Sequence, residues 1–285
     1  MDEHSKAVLI TGCSSGIGRA TAERLVGKGY PVYATARRTE TLADLAALGC
    51  TPLALDVRDD DSMRAAVERV EADHGAVGAL VNNAGYGEYG AVEAVPIDRA
   101  RAQLETNVIG PMRLAQLALP AMRAQQHGRI VNLGSMGGRL TFPGGGWYHA
   151  TKHALEALSD AMRFEVAPFG IQVVLVQPGL IRTGFDETAV GALRDPGEAD
   201  GPYGSLHAVV DAQMHEAYNG SMARLGGGPD DVAKVVAKAI AARRPKPRYK
   251  VTASARVLMA TRRWTTDRLW DAILRRQFAP SRPAS

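Results

Sequence analysis

The chain has 285 residues, 46% hydrophobic and 22% charged, with a formal net charge of +4. This is ordinary globular composition, long enough to hide about three quarters of its unfolded surface in one large α/β domain or two small ones. Two cysteines, Cys13 and Cys50, exclude a disulfide framework and lack paired metal spacing; no apolar run reaches the ~20 residues of a membrane span, and the opening "MDEHSK" lacks the apolar stretch of a signal peptide. A soluble, cytoplasmic protein is expected.

Six short apolar runs follow in chain order: "AVLIT" (7–11), "PVYATA" (31–36), "TPLALDV" (51–57), "GALVNNAG" (78–85), "GRIVNLGS" (128–135) and "IQVVLVQPG" (171–179). They are rich in Val, Ile and Leu without strong alternation, as parallel strands buried on both faces are. Between them, helical spacing runs over Gly18–Lys28, Ser62–His74, Arg99–Gln125 and His149–Ala167. Strand–helix–strand repetition predicts an α/β fold: a doubly wound, Rossmann-type parallel sheet with helices on both faces.

After Gly179 the texture changes. Residues 183–228 are Gly- and Pro-rich around a helical piece near Val209–Tyr218, the length and composition of a substrate lid. Pro229-Asp230-Asp231 opens a helix that should run to Arg243-Arg244. The chain breaks at Pro245 and Pro247 before a final basic helix containing Trp264 and Trp270. The division expected is a catalytic domain over 1–255 and a basic helical extension and tail over 256–285. From Arg243 to Arg276 eleven Lys/Arg stand against two acids, leaving 23 basic and 28 acidic residues elsewhere, about −5. The expectation is that Trp264, Trp270 and Ile273 dock on the subunit while the arginines face water. Peripheral contact with an anionic membrane surface is the other reading, and no motif supports nucleic-acid binding.

Three motifs carry chemistry. Gly12-Cys13-Ser14-Ser15-Gly16-Ile17-Gly18 follows the first strand and opens a helix, where backbone N–H groups and the helix dipole receive phosphate. At the end of the second strand, "YATARR" has Ala36 where an acid would bind a ribose hydroxyl, followed by Arg37 and Arg38, which favours NADP over NAD. Tyr148 and Lys152 are i and i+4 on one helix face, where the ammonium should lower the phenol's pKa. Ser135, at a strand end, should reach a carbonyl oxygen at the same sheet edge. His149 and His153 have no third ligand at metal spacing, so packing is expected of them, as it is of Cys13.

Together these motifs resemble the short-chain dehydrogenase/reductase family, in its compact single-domain branch, over residues 7–185. T-G-x-x-x-G-x-G is Thr11 to Gly18, N-N-A-G is Asn82 to Gly85, Y-x-x-x-K is Tyr148 to Lys152, and P-G-x-x-x-T is Pro178 to Thr183. Gly134 replaces a serine often seen before Ser135, and Gln177 precedes the Pro-Gly. The resemblance implies Tyr148 as general acid in reduction and base in oxidation. It implies Lys152 on the nicotinamide ribose, Ser135 orienting the carbonyl, and Asn107 holding a water that relays protons toward Lys152. It places Gly12, Ser14, Gly16, Ile17 and Gly18 along the pyrophosphate, Arg37, Asp56, Val57 and Asn83 along adenosine, and Ile181 and Thr183 at the nicotinamide. It also implies a homodimer or homotetramer through the helices at Arg99–Gln125 and His149–Ala167.

Met136, Leu140, Phe142, Trp147, Met214 and Tyr218 are the expected pocket residues, with Arg139 and Arg182 nearby. Their apolar character, with a resemblance to hydroxysteroid and retinol dehydrogenases, points to a hydrophobic ketone or secondary alcohol. An epimerase or dehydratase on the same scaffold, or a protein that senses NADP without catalysis, are the rival readings.

Overall fold

The computed structural model describes residues 4–184, 189–194 and 201–279. The apolar runs become short strands: β1 (Val8–Ile10), β2 (Val32–Ala36), β3 (Thr51–Ala54), β4 (Ala79–Asn82), β5 (Gly128–Leu133) and β6 (Ile171–Pro178). A seventh, β7 (Arg248–Val251), completes one sheet of order β3-β2-β1-β4-β5-β6-β7 in which every pairing is parallel. β7 has no apolar run to announce it. Arg248 and Lys250 suit an edge strand, where charge discourages pairing with another chain. Val8 of β1 is in register with both Val32 and Ala79. The strand order therefore reverses beside β1, and the crevice at the carboxyl ends of β1 and β4 is where such sheets bind ligands.

Each sheet face is covered by helices whose apolar stripe it buries. On one side α1 (Gly16–Val26) and the Pro229–Ala241 helix bring Ala22, Leu25, Val232 and Val236 onto Val8, Ile10 and Val174. On the other, α3 (Asp60–His74), α5 (Gly110–Ala124) and α6 (Gly146–Val166) bring Val67, Leu114, Met122 and Val166 onto Leu9, Leu80 and Ile130. Fully buried side chains such as Leu25 and Leu114 contribute roughly 2 kcal/mol each. α2 (Ala43–Ala47) and α4 (Ile97–Leu104) are short connectors. The start of α3 follows from its sequence: Asp59 caps it by accepting from the Ser62 N–H at 3.0 Å, and Asp60 and Asp61 sit at the positive dipole end.

Four helical expectations change. The continuous helix over Arg99–Gln125 is α4, a π-helical turn at Glu105–Ile109, and α5. The lid helix, α7, is longer than expected, at Gly204–Asn219, and α8 (Pro229–Ala241) stops short of Arg243. The final basic helix is two, α9 (Ala253–Trp264) and α10 (Asp267–Gln277), each started by a threonine cap, Thr252 and Thr266. Trp270 docks, at 6% exposure, but Trp264 is 82% exposed and Ile273 36%, so the expected docking of all three fails for two. Within the expected lid, 185–188 and 195–200 lie outside the described residues.

Candidate active site

The glycine turn after β1 is built for close approach. Gly12 and Gly16 have φ of 71° and 59°, the left-handed region that a side chain disfavours. A Cβ on Gly18 would stand 2.2 Å from the Gly12 carbonyl oxygen, so the start of α1 lies directly against the turn. The turn is locked from β4. Asn83 Nδ2 donates to the Thr11 and Gly12 carbonyls at 2.9 and 3.0 Å, and the Asn83 and Ala84 amides donate to Thr11 Oγ1 at 3.0 and 2.9 Å. Asn82, buried next door, donates to Asn132 Oδ1 at 2.9 Å. The paired asparagines thus join three strand ends.

A cavity of about 810 Å³ opens at this edge. Its walls hold Gly12, Ser14, Gly16 and Ile17 at the turn, Arg37, Asp56, Val57 and Asn83 to one side, and Ile181 and Thr183 on the other. Ser135, Tyr148 and Lys152 share it. Two expected residues are not on the wall: Gly18 lies beneath the turn, and Asn107 is buried in the π-helical turn. Asn107 Oδ1 accepts from the Tyr86 amide at 3.1 Å, while Nδ2 donates to the Tyr86 carbonyl at 2.8 Å and to Thr151 Oγ1 at 3.1 Å. The π-turn, a feature frequent at functional sites, aims this side chain at the loop after β4 and at the Tyr148 helix.

Ser135 ends the segment after β5 and accepts from the Gly137 amide at 3.0 Å. It lines the same cavity as Tyr148. Lys152, one turn along α6, donates from Nζ to the Leu133 carbonyl at 2.9 Å, with its ammonium 5.8 Å from the Tyr148 ring centroid. The pKa expectation is overturned here. Burial pushes the Tyr148 phenol up to about 12, against which the nearby Ser135 side chain works downward. Burial also brings Lys152 down to about 8. Both shifts have burial as their largest cause, since removal from water disfavours phenolate and ammonium alike.

His149 is buried, its Nδ1 3.0 Å from the Gly137 carbonyl, and burial lowers its pKa to about 4, so it is a neutral packing residue as expected. Cys13 is buried with its thiol pushed up to about 12, an inert small residue. Among the described residues no cluster of His, Cys, Asp and Glu is arranged to hold a metal ion.

The rest of the cavity is largely apolar, and Met136, Phe142, Met214 and Tyr218 line it as expected. Leu140 does not; it packs beneath with Ala255, Met259 and Trp270. Trp147 does not either, its indole N–H donating to the Val92 carbonyl at 3.3 Å. Arg139 is turned away to the buried Glu156, 2.6 Å from its carboxylate, which Arg248 and Gln177 also engage. That explains Gln177: it satisfies Glu156. Residues missed by the sequence reading are Arg58, which lines the cavity as Arg37 does, Tyr89 with its ring 6.0 Å from Tyr148, and Leu258, Gln277 and Phe278 from the C-terminal segment. Arg58 was within reach of inspection, two residues after Asp56; the C-terminal residues carry no local signal.

The turn fits a dinucleotide: Gly12, Ser14 and Gly16 line the cavity, and because a Cβ at Gly12 would meet Ala84 Cα at 2.9 Å, only glycine lets the turn pack on the loop after β4 in this shape. Arg37 and Arg58 are exposed and pair with no carboxylate among the described residues.

Residues 6–192 match the family described as short chain dehydrogenase. The chain is 35% identical over 277 residues, 95% of this chain and 97% of the relative, to 3-ketodihydrosphingosine reductase of Bacteroides thetaiotaomicron. It is 36% identical over 258 residues, 86% and 77% of the two chains, to human 17-beta-hydroxysteroid dehydrogenase type 1. A short chain dehydrogenase/reductase from Burkholderia phymatum, solved in complex with NAD, superposes with a TM-score of 0.77 at 27% identity, covering 100% of this chain and 99% of that one. Other similar structures were solved with NADP. The chain therefore belongs to the short-chain dehydrogenase/reductase family of nicotinamide-dependent oxidoreductases.

Proposed function

We propose that the protein is an NADP(H)-dependent reductase of hydrophobic ketones, interconverting them with secondary alcohols. The observation that carries this reading is the convergence of Ser135, Tyr148 and Lys152, the last one helical turn along α6, on one cavity with an apolar wall. When bound, the cofactor supplies hydride to the carbonyl carbon or removes it from the alcohol. Everything else falls to the chain. The glycine turn, with Gly12, Ser14, Gly16, Ile17 and Gly18 and the start of α1, holds the pyrophosphate. Asp56, Val57 and Asn83 flank adenosine, and Ile181 and Thr183 the nicotinamide end. Arg37, with Ala36 in place of an acid and Arg58 close by, favours the 2′-phosphate of NADP.

Ser135 and Tyr148 both hydrogen-bond the substrate oxygen, fixing which face is offered for reaction. Tyr148, protonated at neutral pH, gives its proton to that oxygen in reduction and takes it back in oxidation. Lys152 holds the nicotinamide ribose, and Asn107 supports a proton path past Thr151 toward it.

Apolar Met136, Phe142, Met214, Leu258 and Phe278 favour a bulky hydrophobic substrate. The names of the two relatives, a ketodihydrosphingosine reductase and a hydroxysteroid dehydrogenase, support the same class. Residues 1–255 supply the catalytic groups; the 255/256 division falls inside α9 (Ala253–Trp264), and the 256–285 segment adds Leu258, Gln277 and Phe278 to the cavity wall. Ile109, Leu158 and Phe164, exposed on α6 and the turn before α5, support pairing of subunits through these helices. Two free, buried cysteines are consistent with a cytoplasmic protein, and no helix among the described residues is long and apolar enough to cross a membrane.

The test follows cofactor absorbance with NADPH and with NADH across apolar ketones, steroids and retinoids. NADPH oxidation that depends on an apolar ketone is expected. NADH used equally well, or turnover confined to small polar carbonyls, would overturn the assignment. Product formation without net cofactor oxidation would transfer it to an epimerase or dehydratase.

A further inference from the structure

α9 and α10 have two faces of opposite character. Inward, Leu258 and Phe278 line the cavity while Met259 and Trp270 pack with Leu140. Outward, Val257 is 52% exposed, Trp264 82%, Leu269 52% and Ile273 36%. Val257, Ala260 and Trp264 are spaced i, i+3, i+7 and form one stripe of α9; Leu269 and Ile273 are i, i+4 on α10. Large apolar groups are thus set in solvent on the backs of the helices whose fronts wall the cavity.

The charge around them is one-sided. From Ala253 to Gln277 there are six arginines and two aspartates, Asp267 and Asp271. Arg262 pairs with Asp267 at 2.6 Å. Arg256, Arg263, Arg268, Arg275 and Arg276 pair with no carboxylate among the described residues, and the Arg263 guanidinium lies over the Trp264 ring at 5.7 Å. Outside Arg243–Arg276 the chain is net acidic, with 23 basic residues against 28 acidic.

A helical surface with arginines beside an exposed tryptophan and aliphatic stripe matches a lipid interface. There the aromatic ring sits at headgroup level and the cations meet anionic headgroups. A polyanionic nucleic acid would use the arginines but leave the Val257, Leu269 and Ile273 surface without a partner. A second copy of this chain meeting the same face about a two-fold axis would oppose arginines to arginines. We propose that the outer face of α9 and α10 docks on an anionic lipid bilayer. This sets the cavity wall about one helix diameter, ~10 Å, from the membrane surface. The inference rests on charge and exposure alone, so its failure leaves the proposed reaction standing.

The experiment is co-sedimentation of the full chain with vesicles of phosphatidylcholine, with and without phosphatidylserine, alongside tryptophan emission. Binding to the phosphatidylserine vesicles, weakened by salt and accompanied by a blue shift, is expected. Replacing Arg256, Arg263 and Arg268 together by Gln should weaken partitioning about a hundredfold, near fivefold for each cation removed. Trp264→Ala should weaken it about tenfold and abolish the blue shift. Both variants lie on the outer face and should keep wild-type NADPH binding, which separates loss of docking from loss of fold. No binding, equal binding to phosphatidylcholine alone, or competition by poly(U) stronger than by phosphatidylserine would overturn the proposal. So would a Trp264→Ala variant that changes only the oligomeric state in sedimentation, since the face would then be a subunit interface.

Discussion

The carbonyl oxygen of Gly12 stands 2.2 Å from the point where a Cβ on Gly18 would be, so the two ends of the phosphate turn leave no room between them for a methyl group. The atom in the way is backbone and cannot rotate aside. Gly18→Ala should therefore part the turn from α1 at a cost of about 2 kcal/mol or more. Thermal denaturation should show a lowered Tm, and fluorescence titration should show NADPH affinity falling at least about tenfold. Unchanged affinity would mean that the turn does not hold the cofactor.

Arg37 separates the two cofactors. Its guanidinium has a role only where a 2′-phosphate is present, and a charge-assisted hydrogen bond of this kind contributes roughly 1.5–3 kcal/mol. Arg37→Ala should weaken NADPH binding by one to two orders of magnitude, about tenfold to a hundredfold, and leave NADH binding nearly unchanged. Isothermal titration of both cofactors reads the difference directly, and equal losses would refute the NADP preference.

Lys152 gives the site a pH signature. Burial lowers its pKa from 10.5 to about 8, so above that pH the folded protein loses the cation. NADPH affinity should decline along an alkaline limb with a midpoint near 8. Stability runs the other way. Between about 8 and 10.5 the unfolded chain binds the proton that the folded chain has released, so this group's contribution to stability rises with pH. Affinity measured on both sides of the midpoint, with Lys152→Met as the variant lacking the limb, checks the assignment.

The C-terminal wall should govern substrate size. Phe278 is buried against Phe142, their ring centroids 6.1 Å apart, and both line the cavity. Phe278→Ala should raise KM for bulky apolar ketones about tenfold and leave that for small ketones little changed. Kinetics on a size-graded ketone series would show it.

The first 180 residues were largely legible, because buried parallel strands must be apolar and crossover helices must show a buried stripe. The phosphate turn and Ser135, Tyr148 and Lys152 could be placed for the same reason: each falls at a strand end or on a helix that the pattern fixes. Four features were hidden by physics that a local pattern does not carry. β7 is a charged edge strand whose place is fixed by pairing with β6. The π-turn at Glu105–Ile109 adds one residue to a helical periodicity that otherwise runs on. The direction of the Tyr148 pKa is set by burial, which depends on how completely the whole fold excludes water. The packing of Leu258 and Phe278 onto the cavity is a tertiary fact about a segment whose composition speaks only of charge.

The most direct measurement of the central claim is NADPH oxidation by the wild type and Tyr148→Phe, side by side, on the best apolar ketone found. The variant keeps the ring and loses only the phenol hydroxyl. Turnover should fall by roughly 10²–10⁴ while NADPH binding stays within about twofold. A variant that turned over at the wild-type rate would show that the proton comes from elsewhere, and would contradict the assignment of Tyr148.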